Sequence, residues 1–429
     1  MRAIILSIGD ELVLGQTVDT NSAWLSQQLA AVGFAVAAHL TVADDQRAIE
    51  QAIEESVGRC DVLLISGGIG PTEDDLTRQA LAAVMNVPLE LDERWLAQLR
   101  KFFDRLGRSM PEGNKIQAMI PRGTTMIFNH AGTAAGIDAT YVSGDQKTVC
   151  RVFVMPGVPK EMKSMFTRDV LPHARQMGGG AVILSRTLHT FGSGESAVAE
   201  KIGPQMMRGR NPSVGTTVSG GVVSVRINSS FGSHDEAARE LASTEAACRA
   251  ALGDLVYGAD DETLQEVVGR KLIEGMPGRT VATAESCTGG LLAKMLTDKP
   301  GSSAYFDRGF VTYANAAKED LLDVPGPLLA EHGAVSEPVV RAMAEGVLRN
   351  TGAYYALAIS GVAGPGGGTP QKPVGTVCIA LATDRGSTQP QVTVRTFNFP
   401  GDREMIRDRS AKMALTMLRF HVLGKDLPF

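Results

Sequence analysis

The chain has 429 residues, a length that suits about three domains of roughly 150 residues each, and its 44% apolar composition excludes a disordered chain. The 42 basic and 47 acidic residues leave a net charge of −5, so there is no global basic field to hold a polyanion such as DNA. Aromatic residues are only 5%, while glycine reaches 47 of 429, above the usual ~7%, which points to loops where backbone approaches a ligand closely.

The first third alternates strand and helix signals. Ile4 to Ile8 is a short apolar run. Trp24, Leu25, Leu29 and Val32 then fall at helical spacing and close on Gly33. Phe34 to Val42 reads as a second strand, Ile49, Ile53 and Val57 mark a second helix, and Val62 to Ile65 is a third strand. This β-α-β-α-β order predicts a parallel sheet covered on both faces. A further run, Val152 to Met155, precedes the turn Pro156-Gly157-Val158-Pro159 and a helix near Glu161.

Gly178-Gly179-Gly180 is a candidate linker. A small α+β module follows, with strands near 181–190 and 222–228 and helices near 195–202 and 235–252. At Thr263 a capping box with Glu266 opens the helical run Leu264, Val267, Val268, Leu272. Strands are then expected near 280–285, 308–313, 354–360, 374–382 and 391–399, and a last helix carries Ile406, Met413, Met417 and Phe420. The predicted fold class is α/β, with domains at 1–175, 181–258 and 260–429.

The opening apolar run is too short for a signal segment, and no stretch approaches the roughly 18 apolar residues of a membrane span. Cys60, Cys150, Cys248, Cys287 and Cys378 are scattered without a CxxC pair, which predicts neither a disulfide framework nor a zinc cluster. These features predict a reduced, cytoplasmic protein with no membrane partner.

In open α/β sheets, ligands sit beyond the carboxyl ends of the strands. Three such ends here carry Gly9-Asp10-Glu11, Asp44-Asp45 and the run Ser66-Gly67-Gly68-Ile69-Gly70-Pro71-Thr72-Glu73-Asp74-Asp75. Gly67, Gly68, Gly70 and Thr72 would present backbone to a phosphate, and the carboxylates of these three ends would hold a divalent cation bridging phosphates. Ser66 to Thr77, SGGIGPTEDDLT, resembles the Gly-Gly-x-Gly-Pro-(x)3-Asp-x-Thr signature of molybdopterin-binding domains. With IGDELVLGQTVDTN and MPGVPKEM it resembles the amino-terminal half of the CinA (competence/damage-inducible) family. That resemblance puts Asp75 and Asp44 on the acidic positions of the pterin or metal site, with Asp10 completing the expected set, and implies a metal-dependent ADP-ribose pyrophosphatase using Mg, Mn or Co, with pterin binding the alternative.

The same resemblance implies a KH-like fold for the middle module. A nucleic-acid-gripping KH domain needs a GxxG loop in a basic setting. Gly192-Ser193-Gly194-Glu195 has the wrong spacing and ends on an acid, and residues 181–260 carry 7 basic against 8 acidic side chains. A spacer or dimerisation module is expected, with Arg208 and Arg210 solvated or structural.

The last third places Ala284-Glu285-Ser286-Cys287-Thr288-Gly289-Gly290 between a strand and a helix. A hydroxyl or thiol at that turn is exposed beside a helix N-terminus, so Ser286 and Cys287 both qualify as nucleophiles, with Thr288, Gly289 and Gly290 open to substrate. A cysteine would want a histidine partner, whereas a serine can use a lysine of lowered pKa. Gly309 to Lys318 supplies Tyr313, the expected N-cap Asn315 and the base Lys318. Ser360, Gly361, Gly364, Gly366 and Gly367 form a loop suited to a phosphate but lacking a Walker A lysine. Arg403 and Arg407, four apart, share one helix face and would clamp an anion.

AESCTGG, GFVTYANAAK, GVAGPGGG and KPVGTV resemble the carboxy-terminal CinA domain, the nicotinamide mononucleotide (NMN) deamidase family. The resemblance, which covers essentially the whole chain, implies hydrolysis of NMN to nicotinic acid mononucleotide and ammonia without a cofactor. Ser286 is then the nucleophile, Lys318 its base and Tyr313 an assistant, and Ser360 stands where relatives often have threonine. The glycine loop and an arginine would hold the 5′-phosphate, and a homodimer is expected. The alternative from another class is a DNA-uptake or repair accessory protein that acts by binding.

Overall fold

The structure is a computed structural model that describes all residues except 144–147, 179–180, 276, 385, 387–388 and 429. It divides into two compact units: Met1–Leu184 with Ser229–Glu240, and Ser185–Asn228 with Leu241–Phe429.

The first unit is built in chain order from β1 (Arg2–Ile8), α1 (Asp10–Val13), α2 (Thr20–Ala30), β2 (Ala35–Val42), α3 (Gln46–Val57), β3 (Val62–Ser66) and α4 (Thr77–Val84). It continues through β4 (Leu89–Leu91), α5 (Glu93–Arg105), β5 (Met119–Pro121), β6 (Thr125–Ile127), β7 (Gly136–Val142), β8 (Val149–Met155), α6 (Pro159–Met165) and α7 (Leu171–Met177). Its main sheet has the order β2-β1-β3-β8-β7-β6. The first four strands are parallel, as the alternation predicts, and β7 and β6 add an antiparallel edge that the sequence reading did not separate. Every side chain of β3 is buried, which explains its unbroken apolar run. One face packs Ile49 and Ile53 of α3. The other packs Leu25 and Leu29 of α2 with Met162 and Met165 of α6. Both faces are therefore covered. Asp19 and Asp45 cap α2 and α3 through their carboxylates. Gly178 closes α7, while Gly179 and Gly180 of the expected linker lie outside the described residues.

Next come β9 (Val182–Phe191), α8 (Glu195–Lys201), β10 (Ser213–Ser219), β11 (Val222–Phe231), α9 (His234–Leu252) and β12 (Val256–Ala259). They form a four-stranded sheet of order β10-β11-β9-β12. The sequence reading found β9, β11 and both helices but not β10 or β12, whose polar or very short segments lack a clear period.

The last stretch comprises α10 (Leu264–Gly275), β13 (Val281–Glu285), α11 (Leu291–Thr297), β14 (Phe306–Val311), α12 (Asn315–Leu322), α13 (Gly326–His332) and α14 (Glu337–Thr351). β15 (Tyr355–Gly361), β16 (Thr376–Thr383), β17 (Gln391–Asn398) and α15 (Arg403–Val422) complete it. The sheet order is β14-β13-β15-β16-β17, with β14, β13 and β15 parallel and the last two strands antiparallel. α15 packs on one face with Ile406, Met413 and Met417, and α14 on the other with Val340, Met343 and Val347. The capping box at Thr263 is present: its N–H donates to Glu266 Oε2 at 2.8 Å, and the Glu266 N–H to Thr263 Oγ1 at 3.4 Å. Among the described residues no helix is long and apolar enough to cross a membrane.

Candidate functional site

Beyond the carboxyl ends of β1, β3 and β8 lies a cavity of about 510 Å³. Its lining includes Gly67, Gly68, Ile69, Gly70, Thr72 and Asp75, the loop read from sequence as phosphate-facing. Gly67 has φ near 108°, and a Cβ there would stand 2.2 Å from the Ile8 carbonyl oxygen. Only glycine lets the chain turn against β1 at this point. The Gly67 N–H donates to the Met155 carbonyl at 3.1 Å, which ties the loop to β8.

The acids serve the loops as well as the cavity. Asp10 Oδ1 accepts the Asp44 N–H at 3.1 Å, and Asp44 Oδ2 accepts the Asp10 N–H at 2.9 Å. Asp75 Oδ1 accepts the Gly70 N–H at 2.6 Å and its Oδ2 the Thr72 N–H at 2.9 Å; the Thr72 hydroxyl also donates to Oδ2. The expected set of Asp10, Asp44 and Asp75 is thus split between a reciprocal loop pair and a loop brace. Among the described residues no group of three or more His, Cys, Asp and Glu side chains is arranged to hold an ion. Glu11 and Asp74, which sequence reasoning did not single out, line the cavity with Asp44, and Asp10 does not. Their adjacency to the motif acids was the available signal. Burial and the nearby charges of Asp10, Asp74 and Glu11 raise the Asp44 carboxyl above its ordinary range, against the hydrogen bond from the Asp10 N–H. Glu11, Asp44, Asp74 and Asp75 line the cavity and give it a negative field.

The second site is assembled at the carboxyl ends of β13, β14 and β15. Ser286 follows the buried strand β13, and its N–H donates to the Ile359 carbonyl at 2.9 Å. Lys318, on α12, is 0% exposed. Its Nζ lies 2.8 Å from the Thr312 carbonyl, 3.4 Å from the Tyr313 carbonyl and 3.4 Å from Ser286 Oγ. Burial lowers its pKa from the ordinary 10.5. A neutral amine has two N–H donors and one lone pair. The charged amine has three donors for these three oxygens, and loss of one proton would leave a lone pair in place of a donor. Burial pushes the Cys287 thiol up to about 12, so it stays protonated at neutral pH, out of the thiolate form that attacks.

Two expectations are corrected here. Asn315 is the first helical residue of α12 rather than its N-cap, which is Ala314. The α11 N-terminus beside Ser286 is not free to stabilise negative charge. Glu285, buried at the end of β13, accepts the Gly290 and Leu292 N–H groups on Oε2, each at 3.0 Å, and the Ala293 N–H on Oε1 at 2.8 Å. Sequence reasoning quoted Glu285 within its motif without giving it this task. The signal was an acid shortly before a helix, displaced from the usual capping position.

Tyr313 is 60% exposed, and its hydroxyl accepts from Arg403 Nη2 at 3.0 Å. Arg403 Nη1 donates to the Gly364 carbonyl at 2.7 Å, joining the glycine loop to Tyr313. Arg407 Nη2 donates to the Thr288 carbonyl at 2.8 Å, which brings it to the Ser286 turn. The buried Arg407 Nε and the Thr288 and Thr312 hydroxyls have no hydrogen-bond partner among the described residues. Gly289 and Gly290 adopt positive φ in that turn. Gly364 and Gly367 do the same in the loop, where Gly366 has open space around it. Gly361 has a packing reason instead: a Cβ there would meet the Thr376 carbonyl at 2.9 Å. Ser360 Oγ donates to the Ala334 carbonyl at 2.7 Å, and no bond joins it to Ser286.

Three family profiles match in the order of the chain: "Probable molybdopterin binding domain" over residues 4–176, "Damage-inducible protein CinA KH domain" over 185–258 and "CinA C-terminal domain" over 261–422. A CinA-like protein of Anaeromyxobacter sp. (strain Fw109-5) is 44% identical over 417 residues, covering 97% of this chain and 98% of its own. The chain belongs to the CinA family. A CinA-like protein of Frankia casuarinae is 43% identical over 435 residues, covering 99% and 97% of the two chains. Among solved structures, a competence/damage inducible protein CihA from Agrobacterium tumefaciens is 42% identical, at a TM-score of 0.35 over 37% of this chain and 95% of its own. The CinA family architecture accordingly runs from a molybdopterin-binding-like domain through a KH-like module to the CinA C-terminal domain.

Proposed function

We propose that the C-terminal domain is a serine amidase acting on the carboxamide of NMN. The observation that carries this reading is the buried Lys318 amine 3.4 Å from Ser286 Oγ. Neutral Lys318 takes the Ser286 proton as Oγ attacks the carboxamide carbon. Returned to the leaving nitrogen, that proton releases ammonia and leaves an acyl ester on Ser286. Water, deprotonated by Lys318, then hydrolyses the ester to nicotinic acid mononucleotide and regenerates the serine. Arg403 and Arg407, with the loop around Gly364, Gly366 and Gly367, suit the 5′-phosphate. Tyr313 positions Arg403 through their hydrogen bond.

For the N-terminal domain the reading is hydrolysis of a nucleotide pyrophosphate such as ADP-ribose. Asp44, which lines the cavity, would help to hold a divalent cation of the Mg, Mn or Co class. When bound, the cation would neutralise charge on the phosphates. The glycine loop binds and orients the pyrophosphate, and the carboxylates set the charge around it. Pterin binding uses the same loop, and the profile name over residues 4–176 favours it as a second reading.

Incubation with NMN and with ADP-ribose, with and without divalent cation, tests both heads when ammonia and AMP are scored separately. Cation-independent ammonia from NMN, lost in Ser286→Ala, is the expected result. Retention of ammonia release in that folded variant would sink the serine mechanism, and tight, salt-sensitive DNA binding without turnover would favour an accessory protein.

A further inference from the structure

The glycine loop of the first unit is held from behind by the first two residues of α4. Thr77 Oγ1 donates to the Gly67 carbonyl at 3.0 Å, and the Thr77 N–H to the Gly68 carbonyl at 3.0 Å. Arg78 Nη2 donates to the Ile69 carbonyl, and Nη1 to the Gly70 carbonyl at 3.2 Å. Four successive carbonyls are therefore drawn to one side. In a trans peptide the carbonyl and the following N–H point in opposite directions. The Gly68 and Ile69 N–H groups thus face away from Thr77, while the Gly70 N–H is spent on Asp75.

Arg78 is 1% exposed. Among the described residues its guanidinium has no carboxylate within ion-pair distance. Asp75 is the acid whose charge acts on it, and burial lowers its pKa only to about 10, so it remains cationic at neutral pH. Packing alone does not require an arginine at a fully buried helix position, where an aliphatic side chain would avoid the desolvation of a charge. Two carbonyls in fork geometry do require one.

We propose that Arg78 is a positioning residue of the glycine loop, which grips the Ile69 and Gly70 carbonyls so that the Gly68 and Ile69 amides form a donor edge for a phosphate group, with its own charge directly behind that edge. The phosphate part rests on the pyrophosphate reading of the N-terminal domain. Lysine preserves the charge but, as a compact ammonium, not the planar fork. Glutamine preserves neutral donors and removes the charge.

The test uses the full chain as wild type, Arg78→Lys and Arg78→Gln. Amide hydrogen exchange over residues 66–76, measured without ligand, is expected to quicken in both variants while the rest of the first unit is unchanged. Inorganic pyrophosphate, titrated by calorimetry, should bind about tenfold more weakly to Arg78→Lys and more weakly still to Arg78→Gln. The salt dependence of binding should be shallower in Arg78→Gln alone, a readout that a purely structural role would not move. Unchanged loop exchange, or exchange accelerated equally across Met1–Leu184, overturns the proposal. If the wild type binds neither pyrophosphate nor ADP-ribose, the pyrophosphate reading falls, and the exchange arm still decides the role of Arg78.

Discussion

Lys318 Nζ stands 3.4 Å from Ser286 Oγ and 2.8 Å from the Thr312 carbonyl, with the whole lysine out of solvent. Two residues separated by 32 positions thus bring a buried amine beside a hydroxyl. Burial lowers the lysine pKa, so ammonia release from NMN should rise with pH through a single ionisation with its midpoint below 10.5. Lys318→Arg, which stays charged at all accessible pH, should lower kcat by at least about a hundredfold. Stability has its own sign. Between the lowered folded pKa and the unfolded value the unfolded chain binds more protons, so stability rises with pH across that window. Urea titrations should show this rise in the wild type and its loss in Lys318→Met.

Cys287 follows Ser286, the proposed nucleophile, but is held protonated, its thiol raised to about 12. Cys287→Ala should therefore keep ammonia release within about tenfold of wild type, a barrier change below ~1.4 kcal/mol. Abolished turnover in a well-folded Cys287→Ala protein would transfer the nucleophile role to the thiol.

Glu285 takes three amide hydrogens of the turn and first residues of α11. In Glu285→Gln one carboxylate oxygen becomes an NH2 group facing an N–H donor. An unsatisfied buried amide costs about 1–3 kcal/mol, so the denaturation midpoint should fall. kcat should drop more than KM rises, because the Ser286 turn loses its anchor while the arginines remain.

Arg403 and Arg407 can be separated from the chemistry by the choice of substrate. Charge-assisted bonds to a phosphate contribute about 1.5–3 kcal/mol, so Arg403→Ala and Arg407→Ala should raise KM for NMN by roughly ten- to a hundredfold. Nicotinamide riboside, which lacks the phosphate, should be affected little. Equal losses with both substrates would assign the arginines to the fold of the glycine loop.

Asp44 tests the other head. Asp44→Asn removes the carboxylate on which three neighbouring acids act, and AMP release from ADP-ribose should lose its dependence on divalent cation. Ammonia release from NMN should be unaltered, since the Ser286 site lies in the other compact unit.

The strands around both sites were legible because buried parallel strands read as continuous apolar runs: Val62 to Ile65 and Tyr355 to Ile359 lie within β3 and β15. β10 and β12 were not legible, since alternation in SVGTTVS is weak and β12 has four residues. The nucleophile turn, the glycine loops and the lysine were all found as motifs. The tasks of their neighbours were not: Glu285, Glu11 and Asp74 stand inside those motifs and Arg78 directly after one, but what each meets depends on what folding places beside it.

By itself the sequence determined which residue types are available at each strand end, because apolar runs, glycines and capping residues are local properties of the chain. Tertiary structure alone decided what each of them meets. It removed Lys318 from water and so lowered its pKa. It occupied the α11 amides with Glu285, and it drew Arg403 onto Tyr313 and Gly364. It also divided the expected metal-binding acids between a reciprocal loop pair and a loop brace. Burial, charge proximity and hydrogen-bond competition depend on groups far apart in the chain, and they exist only once it has folded.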